Sequence, residues 1–510
     1  MLNHTTAASL PRPFVPSTKE RRSGRPEING IRALKLLPQF LSDPVAAIQQ
    51  QYDRYGPIVA VANIDPWSSR KYSFVLAVGE EFNRQIFTDP DTFCSRGLVL
   101  AGPAASAHQV LRHGLISMNG AEHRQQRRLL MPPFLKRNIN AYHDDIVTHT
   151  TEMLQSWKFG QQRDIYGEMH QLSLRIASDV LFGWDEEERS YHTGQKFAEW
   201  LSRCFHLKVW LLQLNWPGTP YRKLMELADE LHRDLSAKIA SRRANPTGRN
   251  DVLSLLLNAR DDDGTALTDA DLIGQTNVLF IASHETLATT LTWTLFLLSQ
   301  HPQVARDLTD ELTGQLRGEP PTSQQFSQLP LLERVIKESM RVLPPVVYGT
   351  RRTACDVELG HHHLPEGSRI LFSQYMTHHL PELFPQPARF LPDRWLTETP
   401  GPYAYIPFGA GPRMCIGYEF SMSMLRTCVA MILQHGQLAL AENTRIDRKF
   451  AVTMSPSQGM PMIMYRPDAN VPHPIATGNI RDSVDLSPAT RAPSRTSATA
   501  ANPSDHRKAA

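Results

Sequence analysis

Phe408-Gly409-Ala410-Gly411-Pro412-Arg413-Met414-Cys415-Ile416-Gly417 is the stretch that decides how this 510-residue chain is read. A cysteine framed by glycines at these offsets can present one thiolate to a haem iron. An axial thiolate pushes electron density onto iron and favours O–O cleavage. Gly409, Gly411 and Gly417 are expected at positive φ, where a Cβ would obstruct the approach of the backbone to a flat cofactor. Nearby backbone N–H groups can hydrogen-bond the sulfur and keep it ionised, and Arg413 can reach a haem carboxylate. A free cysteine is ordinarily a small buried hydrophobe, but that reading leaves the frame of Phe, Gly, Arg and Gly around Cys415 without a purpose.

Working outward, the composition is that of a folded protein. Hydrophobic residues make up 41% and charged residues 21%, which supplies ample apolar surface to bury. Length alone suggests two or three domains. The net charge of +3 is small for this length, and no dense Lys/Arg run carries aromatics between its charges; nucleic acid is therefore disfavoured as a partner. The 5 cysteines, Cys94, Cys204, Cys355, Cys415 and Cys428, are scattered without a Cys-x-x-Cys pair. That pattern fits a reducing cytoplasm and opposes a zinc or dithiol site.

Residues 1–28 are expected to be disordered. Pro11, Pro13 and Pro16 precede the basic run Lys19, Arg21, Arg22 and Arg25, with neither the apolar core of a signal peptide nor a membrane span. The prolines also oppose the amphipathic helix of a transit peptide. Residues 467–510 turn to Pro, Ser, Thr and Ala with almost no large hydrophobe after Leu486, so a disordered tail is expected there as well. No linker or repeat interrupts 29–466, which reads as one large domain.

Within that domain the pattern is mainly α with a small β region. Pro57 to Val61 and Tyr72 to Val78 read as a strand pair. Apolar residues at three- and four-residue spacing predict helices over Ala121 to Leu130, Asp164 to Phe182, Tyr221 to Arg243, Asp269 to Ser299, Pro302 to Leu316 and Leu331 to Val342. The long central helix begins with a capping box at Thr268 and is apolar nearly all round. Gln275, Asn277, His284 and Glu285 inside it exclude a membrane span. Asp356 to Leu359 and Ser368 to Phe372 read as short extended segments. His361-His362-His363 lies between Gly360 and Gly367; consecutive histidines cannot all face one ion, and an exposed hairpin tip is expected rather than a metal site.

Two further motifs give Cys415 a context. Glu285 and Thr286 stand side by side in the apolar central helix, where an unsatisfied polar group costs about 1 to 3 kcal/mol. Either Thr286 bonds a carbonyl one turn back, or the pair lines a watered site in which a hydroxyl holds dioxygen and an acid relays protons. Glu338 and Arg341 share one helix face and can pair, and Arg394, in Pro392-Asp393-Arg394-Trp395, offers a second guanidinium to the same carboxylate.

With these motifs in order, the chain resembles the cytochrome P-450 superfamily of haem-thiolate monooxygenases from about Arg54 to Met464. Phe408, Gly409, Gly411, Arg413, Cys415 and Gly417 match its cysteine loop, Glu338 and Arg341 its Glu-x-x-Arg helix, and Glu285 and Thr286 its oxygen-activating stretch. The resemblance implies haem b with Cys415 as iron ligand, dioxygen as co-substrate, and Glu285 and Thr286 as catalytic residues. It implies Phe408, Gly409, Arg413 and Gly417 around the cofactor, and His123, Arg127 and Arg351 on its propionates, with Arg352 the alternative to Arg351. Glu338, Arg341 and Arg394 are implied as a buried network beside the cysteine loop. Leu98, Leu100, Phe280, Ala282, Val346, Val347 and Met454 are implied as pocket walls. Ser283 departs from the family's usual glycine and either narrows the groove or adds a hydrogen bond. His378-His379 stands where relatives often have His-Arg, and no role is read from it.

The activity so implied is insertion of one oxygen atom from dioxygen into a lipophilic or natural-product-like molecule, by hydroxylation or epoxidation, in secondary metabolism. Electrons are expected from a separate donor, a ferredoxin with its reductase, because no flavin or Gly-rich phosphate motif occurs. The expected protein is a cytoplasmic monomer without membrane anchor. A haem-thiolate isomerase or peroxygenase, and a non-catalytic haem sensor, are the alternatives; the Glu-Thr pair argues against the former.

Overall fold

The computed structural model describes residues 27–29, 31–62, 72–97, 99–183, 187–245, 248 and 250–487. Its backbone is the 32-residue helix Asp269–Gln300, about 48 Å long at the α-helical rise. The expected capping box starts it: the Thr268 hydroxyl accepts the Asp271 N–H at 3.1 Å, and the Asp271 carboxylate accepts the Thr268 N–H at 3.0 Å. Its middle is buried on nearly every side because other helices cover it. Ile165–Phe182, Tyr418–His435, Pro330–Val342 and Ala107–Arg112 all pack against it.

The other expected helices form within a residue or two of their anticipated ends: Gly120–Leu130, Ile165–Phe182, Pro220–Ala244, Pro302–Leu316 and Pro330–Val342. Prolines and caps set these starts. Pro220, Pro302 and Pro330 each open a helix, where a missing N–H costs nothing, and the Asp164 carboxylate caps the helix that follows it.

The β region is small. A mixed six-stranded sheet runs Glu27–Ile28, Ile58–Ala62, Tyr72–Ala77, Arg369–Phe372, Gly349–Thr353, Phe93–Cys94. Ile58–Ala62 and Tyr72–Ala77 are the anticipated antiparallel pair. A second sheet joins Gln437–Leu440, Pro461–Tyr465 and Gln162–Asp164. The triple histidine lies on the hairpin Val357–Leu359 and His362–Leu364. His363 reaches Glu358 at 3.0 Å, but His362 is buried, not exposed. No group of three ligating side chains that could hold a metal occurs among the described residues.

Both expected boundaries need correction. Glu27 and Ile28, placed in the disordered leader, form a strand parallel to Ala60 and Val61. Residues 467–487, placed in the disordered tail, are part of the folded body. Ala476, Ile480, Val484 and Leu486 are buried, Ile446 N–H bonds Thr477 O, and Arg389 bridges to Asp485. Their hydrophobes are too sparse to show a period, yet all but the exposed Ile475 are turned toward the core. Residues 1–26 and 488–510 lie outside the described residues.

Candidate functional site

The cysteine loop is closed on itself before it meets anything else. Cys415 N–H bonds Phe408 O at 2.9 Å, and a short helical turn, Gly411–Arg413, projects Arg413 from its far end. Gly409 and Gly411 adopt φ of 69° and 65°. A Cβ on Gly411 would stand 2.3 Å from Phe87 O, so both the left-handed backbone and the close approach demand glycine there. Gly417 is a correction: its φ is −86°, an ordinary conformation. Its contribution is different. It caps the helix Tyr418–His435, and its N–H is directed at the Cys415 sulfur.

Burial raises the Cys415 thiol pKa, while the Gly417 N–H and the Arg127 charge pull it back. The side chain lies deep in the fold and is nevertheless accessible, so the sulfur looks onto interior space. It also stands three residues before the first residue of that helix, where the helix dipole favours a thiolate. Cys428 contrasts with it. That side chain is fully buried in the middle of the same helix, 3.5 Å from the Thr150 hydroxyl, with its thiol pKa pushed up to about 12 by burial.

Around the loop the structure gathers positive charge. Arg127 Nη2 donates to Met414 O at 2.8 Å, Arg413 donates to Asn119 Oδ1 at 2.7 Å and to Met118 O, and Arg351 lies over the rings of Phe87 and Phe372. Burial, and then the neighbouring Arg413, lower the Arg351 pKa to about 10; burial and the surrounding guanidiniums hold His123 at about 4. Arg352, the next residue on the strand, is exposed, whereas Arg351 is partly buried. Among the described residues none of Arg127, Arg351 and Arg413 forms an ion pair, and Arg413 Nε is buried without a hydrogen-bond partner. A desolvated cation cluster with no carboxylate of its own fits the two propionates of a haem.

Behind the loop lies the Glu338 network. Arg341 grips Glu338 through two bonds of 2.9 Å, and Arg394 Nε, Trp395 Nε1 and Leu391 N–H donate to the same carboxylate at 3.0, 3.0 and 2.9 Å. Arg341 spends its remaining donors on His378 O, Pro387 O and Arg389 O. Glu338 and Arg341 have no exposed surface. Sequence reasoning set His378 aside, but it ties this network toward the cysteine loop, accepting the Ile406 N–H on Nε2 at 2.9 Å. His379 stacks on Tyr375 and is held neutral, its pKa lowered to about 3 by burial and Arg341.

On the central helix the widest break in the buried pattern is at 282–286: Ala282 is exposed and Ser283, Glu285 and Thr286 are partly so. Thr286 Oγ1 donates to Ala282 O at 2.8 Å and Ser283 Oγ to Phe280 O at 3.0 Å, so both hydroxyls take the local bond, and the serine adds one hydrogen bond to the turn. Glu285 accepts a bond of 3.0 Å from Thr453, which meets Thr289 at 3.2 Å. Thr453 and Thr289 were missed in the sequence, since nothing local links them to Glu285. Burial raises the Glu285 pKa, with Thr453 and Lys449 opposing. Helix Gly120–Leu130, which carries His123 and Arg127, is tied to the central helix by a 3.0 Å bond between Gln275 and Gln126.

The expected pocket walls divide. Ala282, Leu100 and Val346 offer surface, but Phe280 and Met454 have none. Phe280 packs its ring against Phe182, Phe197 and His284, and Met454 is held by Trp293 and Pro345; both are core residues. Val347 is also buried. Leu98 lies outside the described residues.

A largely helical fold with a glycine-framed cysteine, a buried Glu-Arg-Arg network and a cationic cradle defines an oxidoreductase of the monooxygenase class. The cytochrome P450 family model matches residues 34–461, and the chain belongs to that family, whose members work with haem iron and dioxygen. It is 32% identical over 387 residues to a cyclooctat-9-en-7-ol 5-monooxygenase of Streptomyces melanosporofaciens, covering 74% of this chain and 82% of that protein. It is 31% identical over 368 residues to a pentalenene oxygenase of Streptomyces avermitilis, covering 71% and 80%. In fold it is similar to a retinoic acid-bound cyanobacterial CYP120A1, with a TM-score of 0.74 at 24% identity over 86% of this chain and 98% of the other.

Proposed function

We propose that Cys415 is the residue that would ligate the iron of haem b and that the protein inserts one oxygen atom of dioxygen into a lipophilic, terpenoid-like molecule, with electrons from a separate ferredoxin and its reductase. The observation that carries this reading is the accessible Cys415 sulfur, placed beside a helix start and near three guanidiniums that have no ion-pair partner among the described residues. When bound, haem iron supplies the reductive activation of dioxygen. Arg127, Arg351 and Arg413, with neutral His123, hold its propionates. Gly409 and Gly411 supply the left-handed turns that let the loop lie against Phe87, Phe408 packs on Tyr418, and the Gly417 N–H would restrain charge on the sulfur.

On the central helix the Thr286 hydroxyl, bonded to Ala282 O, keeps its oxygen lone pairs for an incoming proton donor. Glu285, clamped by Thr453, holds or releases a proton at its carboxyl within reach of the accessible stretch. Ala282, Leu100 and Val346 provide apolar surface for the substrate, which agrees with the cyclic terpenoid names of the two Streptomyces relatives. Among the described residues no helix is long and apolar enough to cross a membrane.

The test is spectroscopic. Cys415→His should retain some haem and lose the strongly red-shifted ferrous-carbonyl Soret band of thiolate ligation, whereas Cys428→Ala should keep it. A band retained in the Cys415 variant refutes the assignment. Cyclic terpene hydrocarbons and alcohols should shift the ferric Soret band on binding, and turnover should require an added ferredoxin and reductase.

A further inference from the structure

Between helices Glu187–Cys204 and Pro220–Ala244 the chain turns its apolar side chains outward. Leu207, Trp210, Leu211, Leu212, Leu214 and Trp216 are 61, 45, 71, 53, 43 and 66% exposed, six of the eleven large hydrophobics exposed on the described surface. Single exposed hydrophobes are ordinary; a run of six within ten residues marks an interaction surface.

The projection is built. Val209 alone turns inward, 1% exposed, and anchors the short helix Leu207–Leu211. Trp210 Nε1 donates to Cys204 O at 2.7 Å, and Thr219 Oγ1 donates to Leu214 O and Trp216 O at 2.6 and 2.8 Å while accepting the Arg222 N–H. The tip is therefore held out with its leucines presented.

Charge identifies what it meets. From Trp200 to Met225 there is no Asp or Glu. Arg203 and Arg222 pair with Glu199 and Glu226, which leaves Lys208 and Lys223 without an ion pair among the described residues. A second copy seated on this surface would bring like charges together. Leucines flanked by tryptophans and free lysines instead match an anionic lipid surface, where tryptophan favours the headgroup level and lysine the phosphates.

We propose that residues 205–218 form a peripheral contact with one leaflet of an anionic bilayer, leucines and tryptophans entering the acyl boundary and Lys208 and Lys223 meeting lipid phosphates. This contact is independent of the chemistry assigned to the haem site. It is tested with the full chain, haem-loaded, by co-sedimentation with vesicles of phosphatidylcholine alone and of phosphatidylcholine mixed with phosphatidylglycerol. Binding should favour the mixed vesicles and weaken as salt rises. Acyl chains carrying bromine should quench part of the tryptophan emission.

Leu211→Asp with Leu212→Asp should lower vesicle affinity at least about tenfold, with the ferrous-carbonyl spectrum unchanged as proof of folding. Lys208→Glu with Lys223→Glu should abolish the preference for phosphatidylglycerol. Absence of sedimentation, or equal sedimentation of the wild type and the leucine variant, overturns the proposal. So does a dimer seen by light scattering that the leucine variant dissolves, because the surface then belongs to a second copy.

Discussion

Glu338, fully buried, and Glu285, partly exposed, are carboxylates on two helices packed against each other, and the protein treats them in opposite ways. Glu338 receives five hydrogen bonds from four residues. Burial pushes its pKa up, but Arg341, Arg394 and the Leu391 N–H together more than reverse that, and the group is held below the ordinary carboxylate range. Glu285 receives one bond in the hydrogen-bond network described above, from Thr453, and burial leaves its pKa raised. A carboxylate with every lone pair engaged is fixed as an anion and serves architecture. One with spare capacity and a pKa moved toward neutrality can exchange a proton.

The largest break in that comparison is Glu338→Ala. It leaves two guanidiniums buried without their counter-charge, at a cost of about 3 to 5 kcal/mol, a large share of a typical folding free energy. Thermal unfolding should show a strongly lowered Tm and the purified protein little thiolate haem. Glu338→Gln should fall between. The sign with pH follows from the depressed pKa: stability from this carboxylate is present above its unfolded pKa and is lost as pH falls through the lower folded value. The wild type should therefore lose stability in acid more steeply than Glu338→Gln.

Thr286→Ala comes next and acts at the other carboxylate's neighbour. The fold should survive, since only the 2.8 Å bond to Ala282 O is lost. Product per electron pair should drop about tenfold as proton delivery fails, with the missing electrons appearing as peroxide. Coupling equal to the wild type would return Thr286 to a purely local helix hydroxyl.

The same contrast governs what the sequence could disclose. Glu338 and Arg341 were legible because one helix turn brings them together, and Arg394 because it stands beside Trp395 in a Pro-marked loop. The cysteine loop was legible because its whole geometry lies within ten residues. Thr453 was invisible at Glu285: 168 residues separate them, and a threonine carries no signal of where its hydroxyl will point. Gly417 looked like its neighbours although it works through its N–H instead of its φ. The family resemblance implies Phe280 as a pocket wall, but only packing with Phe182 and Phe197 decides which side of a helix apolar all round faces the core. The ordered stretch 467–487 was missed for a related reason, since a few buried hydrophobes among polar residues have no periodicity to read.

The finest distinction is whether Thr453 merely packs beside Glu285 or sets its proton affinity. Thr453→Val keeps the shape and removes the hydroxyl, hence one of the two influences that lower the Glu285 pKa against burial. The midpoint should then rise further. A rate or coupling limb that requires ionised Glu285 falls as pH drops through that midpoint, so in the variant the fall should begin at higher pH, with the plateau above it nearly unchanged. Thr453→Ser restores the donor and should restore the wild-type profile, which a simple packing role would not require. An unshifted limb in Thr453→Val would show that Lys449 and burial alone set the acid.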